Sequence, residues 1–308
     1  MLVIGAGATG AQVASIFTAF GSRVQLLQAG PRILPSEDED VSVAVATAFR
    51  EQGMVVRENL GTIESFEKTP TGVRIHVAKD GARDNAEAAL AVVAVGWVAD
   101  NAGLGLAVAG VETNKRGFVS VDEYQRTSAP HVFAAGDITG QVMLVPQGVH
   151  AGFVAATNAV NGATMPLWKQ VSPIGSFTDP EFAQVGVTEA KAREQHDVVV
   201  ATVRFDATPR TIIDGQTAGF CKLIVDRTTR KILGCHVVGE RAVEITQVAA
   251  VAMTAGMPVN ELARIPLSFP TYTAILGRAA YVAICQLDQK EVGSRHELLN
   301  DQLEITHH

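Results

Sequence analysis

"MLVIGAGATG", residues 1–10, decides how the rest of the chain is read. A short apolar run, Leu2–Ile4, leads into Gly5, Gly7 and Gly10 at the G-x-G-x-x-G spacing. From Val13 the apolar residues Val13, Ile16, Phe17 and Phe20 recur at helical spacing, and Gly21 supplies a stop. Val24–Leu27 is the next apolar run. The glycines therefore sit between a strand and a helix, with a second strand following, and in that context they predict a dinucleotide-binding turn rather than a plain strand–helix connection. Gly5 would permit the tight turn, Gly7 would let backbone approach a pyrophosphate, and Gly10 would let the helix pack on the strand. The phosphates would lie against Gly7, Ala8, Thr9 and Gly10, where unpaired N–H groups and the helix dipole favour negative charge.

The second strand ends at Leu27 and is followed by Gln28, where an acid usually holds the ribose 2′-hydroxyl of NAD. Gln28 can still hydrogen-bond a hydroxyl and lacks the charge that repels a 2′-phosphate. Arg32 reads equally as a partner for that phosphate or as a solvated loop charge, so NAD and NADP both stay open.

Working outward, a helix is expected over Glu39–Gln52, ending at Gly53, and a strand over Val55–Leu60. Two polar-interrupted strands, Thr62–Glu67 and Val73–Ala78, make an antiparallel excursion. Leu90–Val95 reads as a strand buried on both faces, closed by Gly96. Residues 1–112 thus form a doubly wound domain. In 113–165 short extended segments lead to "VFAAGD" (132–137), an apolar strand ending in Gly136 and Asp137, before a helix over Pro146–Asn161. Asp137 is placed either to accept a bond from a ligand hydroxyl or to serve as a turn or cap acid. Residues 166–172 look like a linker. Beyond them, strands at 198–205, 218–226 and 231–239 and an Ala-rich helix at 242–256 read as an α+β domain spanning 166–290. Residues 291–308 read as a mobile polar tail, with His307–His308 as a tag remnant.

Composition narrows the function classes. The chain has 308 residues, enough for about two domains at ~150 residues each. Its net charge is −7 with both signs scattered, which speaks against a nucleic-acid partner. No apolar run reaches the ~18–20 residues of a membrane span, and residues 2–20 lack a signal-peptide pattern, so a cytoplasmic protein without membrane contact is expected. The three cysteines, Cys221, Cys235 and Cys285, form no CxxC pair and no zinc site. Cys221 and Cys235 read as a redox pair or, with more weight, as small apolar strand residues.

In this order the motifs resemble the pyridine nucleotide–disulphide oxidoreductases, flavoproteins of the dihydrolipoamide dehydrogenase and mercuric reductase type, over about residues 1–285. The carriers are the stretch beginning "VIGAGATGAQVASIF", then "VVAVGWVADN", "SAPHVFAAGDITG" and "FTDPEFAQVGVTEAKA" (177–192). The resemblance implies a Rossmann-type NAD(P) domain, part of an FAD-binding domain, and a dimerisation domain forming a homodimer. It implies that Gly5, Gly7, Gly10 and Gly96 line the NAD(P) site, that Asp137 binds the flavin ribityl chain, and that "MLVP" (143–146), with Leu144 and Val145, turns backbone N–H groups toward the flavin.

The sequence departs from the family in three ways. The family's first, FAD-binding half, with its own glycine fingerprint and redox cysteine pair, is missing from the stretch read here, which puts FAD retention in doubt. The family's His-Pro-Thr segment with a nearby Glu reads "SFPTYTAILGRAA" (268–280), with Phe269 for the His and Ala274 for the Glu. Gln12 stands where the family has a Glu near the nicotinamide. Tyr272 is the one proton donor nearby, and aromatic packing at a dimer interface is its alternative role. Three functions follow as expectations: an NAD(P)H-dependent flavin-family oxidoreductase, truncated, delivering hydride to a small-molecule, quinone-like acceptor other than a disulfide; an NAD(P)-binding, dimerising module without turnover; and, last, a flavin-free dehydrogenase.

Overall fold

The computed structural model describes residues 1–167 and 171–304, with side chains described through Lys290's neighbour Gln289. The residues group into two compact units, Met1–Val95 with the chain from Val171 onward, and Gly96 through the 160s.

In the first unit the elements are β1 (Leu2–Ile4), α1 (Ala8–Ala19), β2 (Gln25–Leu27), α2 (Glu39–Glu51) and β3 (Val55–Arg57). Then come β4 (Thr62–Thr69), β5 (Gly72–Lys79), β6 (Ala82–Ala88) and β7 (Ala91–Val93). β3, β2, β1 and β7 form a parallel sheet in that order. The chain runs outward from β1 to β3 and returns on the other side of β1, so the sheet's switch point lies between β1 and β7, where ligands of such sheets bind. α1 and α2 cover one face, through Val3, Leu26, Val45 and Phe49. The antiparallel sheet β4-β5-β6 covers the other, with Ile75 and Val77 packed on Leu2, Ile4 and Leu27.

Local chemistry explains the boundaries. Asp38 caps α2 by accepting from the Asp40 N–H, and Arg50 sits in its last turn, complementing the dipole. Gly21 and Gly53 follow α1 and α2 at φ +82° and +88°, the left-handed conformation in which helices commonly end.

Several expectations change. α1 does not bury Ile16 and Phe20, which are exposed; it turns Gly10, Ala11, Ala14 and Ser15 inward, because only small side chains allow its close approach to the sheet. β7 is an edge strand with Val93 and Val95 exposed, not a strand buried on both faces. The strand expected to reach Leu60 ends at Arg57, and the excursion holds three strands.

The second unit contains α3 (Val145–Asn161) and a small core of Val111, Val119 and Ala129. "VFAAGD" is not a strand: it makes a single bridge, Arg126 to Phe133, and Gly136–Thr139 turns as a 3₁₀ helix. Gly136 at φ +77° starts that turn, which breaks the extended run.

From Val171 the first unit resumes with β8 (Ile174–Ser176), β9 (Phe182–Gly186), α4 (Glu189–Arg193), β10 (Val198–Arg204), α5 (Pro209–Ile213), β11 (Phe220–Asp226) and β12 (Ile232–Val238). It ends with α6 (Ala242–Thr254), α7 (Val259–Leu262) and α8 (Ala274–Glu304). The antiparallel sheet has the order β10-β11-β12-β9-β8. Alternate residues Cys221, Leu223 and Val225 face the core under α6, α7 and α8. Phe182 and Val238 join the core of the parallel-sheet region, so this sheet packs with residues 1–95 in one compact unit. Residues 291–304, expected as a tail, continue the backbone of α8. Part of the expected linker (168–170) and residues 305–308, with the His pair, lie outside the described residues.

Candidate functional site

The glycine turn has three glycines held by different demands. Gly5 closes β1 at φ +92°, and a β-carbon there would stand 2.5 Å from the Ala94 carbonyl oxygen at the end of β7. A β-carbon on Gly10 would overlap the carbonyl oxygen of Gly5. Both are therefore required by the fold. Gly7 is different: its φ is −75°, which any residue adopts, and a β-carbon there would meet nothing within 4 Å. Among the described residues, nothing asks for glycine at this position. The open space beside Gly7, at the start of α1, is where a pyrophosphate would approach the backbone. α1 has no side-chain cap and no acid in its first turn, so that end stays electropositive.

The turn is braced from the neighbouring loop. Gln28 Oε1 accepts the Ala6 N–H at 3.0 Å, and the Leu34 N–H donates to the Ala6 carbonyl at 2.7 Å. Gln12 lies in the second turn of α1. Its Nε2 donates to the Ala8 carbonyl, and its Oε1 accepts the Phe177 N–H at 3.2 Å. Ser15 Oγ accepts the Asp179 N–H at 3.0 Å. The fingerprint helix is thus tied to the loop that enters β9. The structure brings Gly5, Gly7, Ala8, Thr9, Gly10, Gln12 and Gln28 together around the C-terminal ends of β1 and β2.

In the second unit, Gly136 and the start of α3 meet: a β-carbon on Gly148 would lie 3.5 Å from the Gly136 α-carbon. Asp137 is exposed beside this contact, Leu144 is the extended residue that precedes α3, and Val145 begins it. α3 carries no side-chain cap and no acid in its first turn. An exposed carboxylate next to an uncapped helix start is a donor–acceptor set that fits a polyhydroxylated, partly anionic ligand such as a flavin with its ribityl chain. Gly96 begins this unit at φ +127°.

Tyr272 is not poised to give up a proton. Its hydroxyl donates to Asp214 Oδ2 at 2.9 Å, and its ring lies 6.3 Å from Phe205. Burial, then the Asp214 carboxylate, pushes its hydroxyl up to about 12. Phe269 is exposed and offers no proton-transfer group. Cys221 and Cys235 are buried side-chain neighbours, and the hydrogen bond between them, with burial, raises the Cys235 thiol well above its ordinary value. Such a thiol is a poor nucleophile, in keeping with a small apolar strand residue.

One cluster was not foreseen. Lys222 Nζ, fully inside, meets Asp38 Oδ1 at 2.8 Å, Asp40 Oδ2 at 2.6 Å and Glu189 Oε2 at 2.6 Å. It ties β11 to the start of α2 and to α4. His236, its ladder partner on β12, is buried, and burial pushes its imidazole down; Nε2 lies 3.0 Å from the Val187 carbonyl. The available signal was a lysine in the apolar strand "FCKLIVD" together with the acid run "SEDED" at 36–40.

Glu37, beside this cluster, is 4% exposed, and its Oε2 has no hydrogen-bond partner. Burial pushes its carboxyl from 4.5 up to about 7, against the opposing effects of Ser36 and Arg32. Between those values the native state holds a proton that the unfolded chain has released, so stability falls as pH rises through the window. Glu37→Gln removes this loss. Urea unfolding should show the variant gaining about 3 kcal/mol on wild type between about pH 4 and about pH 8; parallel pH profiles would show that Glu37 titrates normally.

The profile of the pyridine nucleotide–disulphide oxidoreductases matches residues 1–152, and that of the family's dimerisation domain matches residues 172–280. The chain belongs to the pyridine nucleotide–disulphide oxidoreductase family. It is 33% identical to a mercuric reductase of Lysinibacillus sphaericus over 85% of this chain and 48% of that protein. It is 34% identical to a dihydrolipoyl dehydrogenase of Zymomonas mobilis over 92% of this chain and 61% of that protein. Among solved structures, the Cu(II) complex of the HOCl-induced flavoprotein disulfide reductase RclA from Escherichia coli superposes with a TM-score of 0.84 at 28% identity, covering 91% of this chain and 63% of that one. The chain thus spans about half to three fifths of the length of these relatives. No helix among the described residues is long and apolar enough to cross a membrane.

Proposed function

We propose that residues 1–112 bind NAD(P)H as part of a flavin-dependent oxidoreductase, and the observation that carries this is the unexplained opening at Gly7. Two glycines of the fingerprint are there for the fold, and the third has no role in the protein alone; a diphosphate against the start of α1 gives it one. In this reading Ala8, Thr9 and Gly10 offer backbone N–H groups to the phosphates, and Gln28 meets the adenosine ribose. Asp137, Gly136 and the start of α3, within 113–165, meet the flavin. A nicotinamide cofactor held at the glycine turn would supply hydride-donor chemistry, and a flavin held by Gly136, Asp137 and the start of α3 would supply the electron-carrying chemistry toward an acceptor. The share of the relatives' length that the chain spans makes this a reading of the larger protein's activity.

The acceptor is proposed to be a small, quinone-like molecule rather than a disulfide. Phe269 and Ala274 stand where the family's disulfide reductases carry a proton-transferring His and Glu, and Tyr272 is held by Asp214 at a pKa of about 12. A group held so high does not protonate a leaving thiolate at neutral pH. The same observation supports a second reading, an NAD(P)-binding and dimerising module without turnover. Residues 166–290 would form the homodimer, and the exposed Ile212, Ile213 and Phe269 suit a buried mate.

Visible absorbance of the purified protein, followed by NADH-driven reduction of an artificial quinone and of lipoamide, tests the proposal. A flavin band with quinone reduction and no lipoamide reduction is expected. A flavin-containing protein that reduces lipoamide overturns the acceptor assignment. A colourless protein that binds NADH but reduces neither acceptor leaves the module reading in its place.

A further inference from the structure

The adenosine-ribose end of the proposed nucleotide site carries its charges in a particular arrangement. Gln28 uses Oε1 to accept the Ala6 N–H, which fixes the amide so that Nε2 lies over Gly30, 3.3 Å from where a β-carbon on that glycine would stand. What the site offers a ribose there is a neutral N–H donor. Arg32, four residues on, is already committed. Its Nη1 donates to the Leu34 carbonyl at 2.9 Å and to Ser42 Oγ, and its Nη2 donates to the carbonyls of Pro35 at 3.1 Å and Glu37 at 3.0 Å. It brackets the loop that leads into α2. Turning it outward would strip hydrogen bonds from a loop that contains the buried residues Leu34 and Glu37.

The neighbouring strand places a paired carboxylate beside this end. The register that pairs Leu27 with Arg57 puts Glu58 next to Gln28. Glu58 Oε1 accepts the Ile33 N–H at 2.8 Å, and Oε2 pairs with Arg50 at 2.7 Å. Arg57 is paired with Asp84. The cleft flanking this end is lined by Arg57, Glu58, Lys79, Asp80 and Asp84, two cations against three carboxylates.

We propose that this site takes NAD(H) and rejects NADP(H), an inference that rests on the nucleotide-binding reading above. A 2′-phosphate adds close to two negative charges, and they would meet a neutral amide, a committed arginine and a cleft whose charged side chains leave one negative charge in excess. A free 2′-hydroxyl needs only a donor or acceptor, which Gln28 supplies. Discrimination comes as much from this repulsion as from the contact to the hydroxyl.

Calorimetric titration of the purified protein with NADH and with NADPH decides it. NADH should bind with a Kd at least about tenfold lower, and the gap should narrow as salt screens the cleft. Gln28→Arg should shrink the ratio by improving NADPH binding. Arg32→Gln should lower the Tm and leave the ratio unchanged within about twofold, because it acts on the loop. Equal or tighter NADPH binding by wild type overturns the inference while leaving the nucleotide reading intact. A selective loss of NADPH affinity in Arg32→Gln overturns it too, since it would show the guanidinium reaching the phosphate. Binding of neither nucleotide overturns the underlying reading and this inference with it.

Discussion

Replacing Lys222 with methionine is expected to destabilise the protein by about 3–5 kcal/mol, the cost of breaking a buried ion pair from one side. The three carboxylates on Nζ are Asp38, Asp40 and Glu189, and Asp38 is 2% exposed. Burial, the largest single effect, would raise Asp38; the hydrogen bonds from Lys222 and from the Glu189 N–H, with the nearby positive charges, together outweigh it and hold the carboxyl below its ordinary value. Glu189 follows the same logic. Without the lysine, Asp38 keeps the backbone N–H groups of Asp40 and Glu189 but no cation. The sign of the pH dependence follows. Two lowered carboxyls contribute stability that is present above their unfolded values and lost as pH falls through the folded ones. Lys222, raised above its ordinary value by the three carboxylates against burial, contributes stability that is complete below 10.5 and lost at more alkaline pH. Denaturant unfolding of Lys222→Met and of the Lys222→Met/Asp38→Asn pair measures this, and the double variant should recover part of the loss. A change under about 1 kcal/mol in the single variant would mean that the cluster is no bridge between β11 and α2.

The second large effect separates two glycines three residues apart. Gly10→Ala drives a methyl into the Gly5 carbonyl, which is backbone and cannot swing aside as a flexible side chain would. Overpacking of this kind costs about 1–3 kcal/mol or more, and here it forces α1 off the sheet. Gly7→Ala adds the same methyl to open space, with no backbone strain. The Tm should fall sharply for Gly10→Ala and stay within about a degree or two of wild type for Gly7→Ala. NADH affinity should drop at least about tenfold in the stable variant, since the methyl occupies the proposed phosphate position. If Gly7→Ala left affinity unchanged, the phosphates would have to lie elsewhere.

The sequence made most of this site legible because its demands are local. The spacing of Gly5, Gly7 and Gly10 between two apolar runs depends on a few neighbouring residues, and the helix stops at Gly21 and Gly53 need no tertiary information. What was misread depends on partners distant in sequence. The buried face of α1 is set by how closely it approaches β1 and β2, so small residues displaced Ile16 and Phe20. "VFAAGD" has strand composition but lacks a neighbouring strand for more than one bridge, and Gly136 turns the chain. Lys222 and Asp38 are 184 residues apart, so no window along the chain could have joined them. Arg32, left open between phosphate partner and solvated charge, spends its hydrogen bonds on its own loop and on Ser42.

The central claim is that the glycine turn at the head of β1 holds a dinucleotide. Titrating wild type and Gly7→Ala with NADH, following the change in nicotinamide fluorescence, tests it most directly. One saturable site per chain in wild type, weakened at least about tenfold in a variant of unchanged Tm, is the predicted result. No saturable binding by the folded wild-type protein would contradict it.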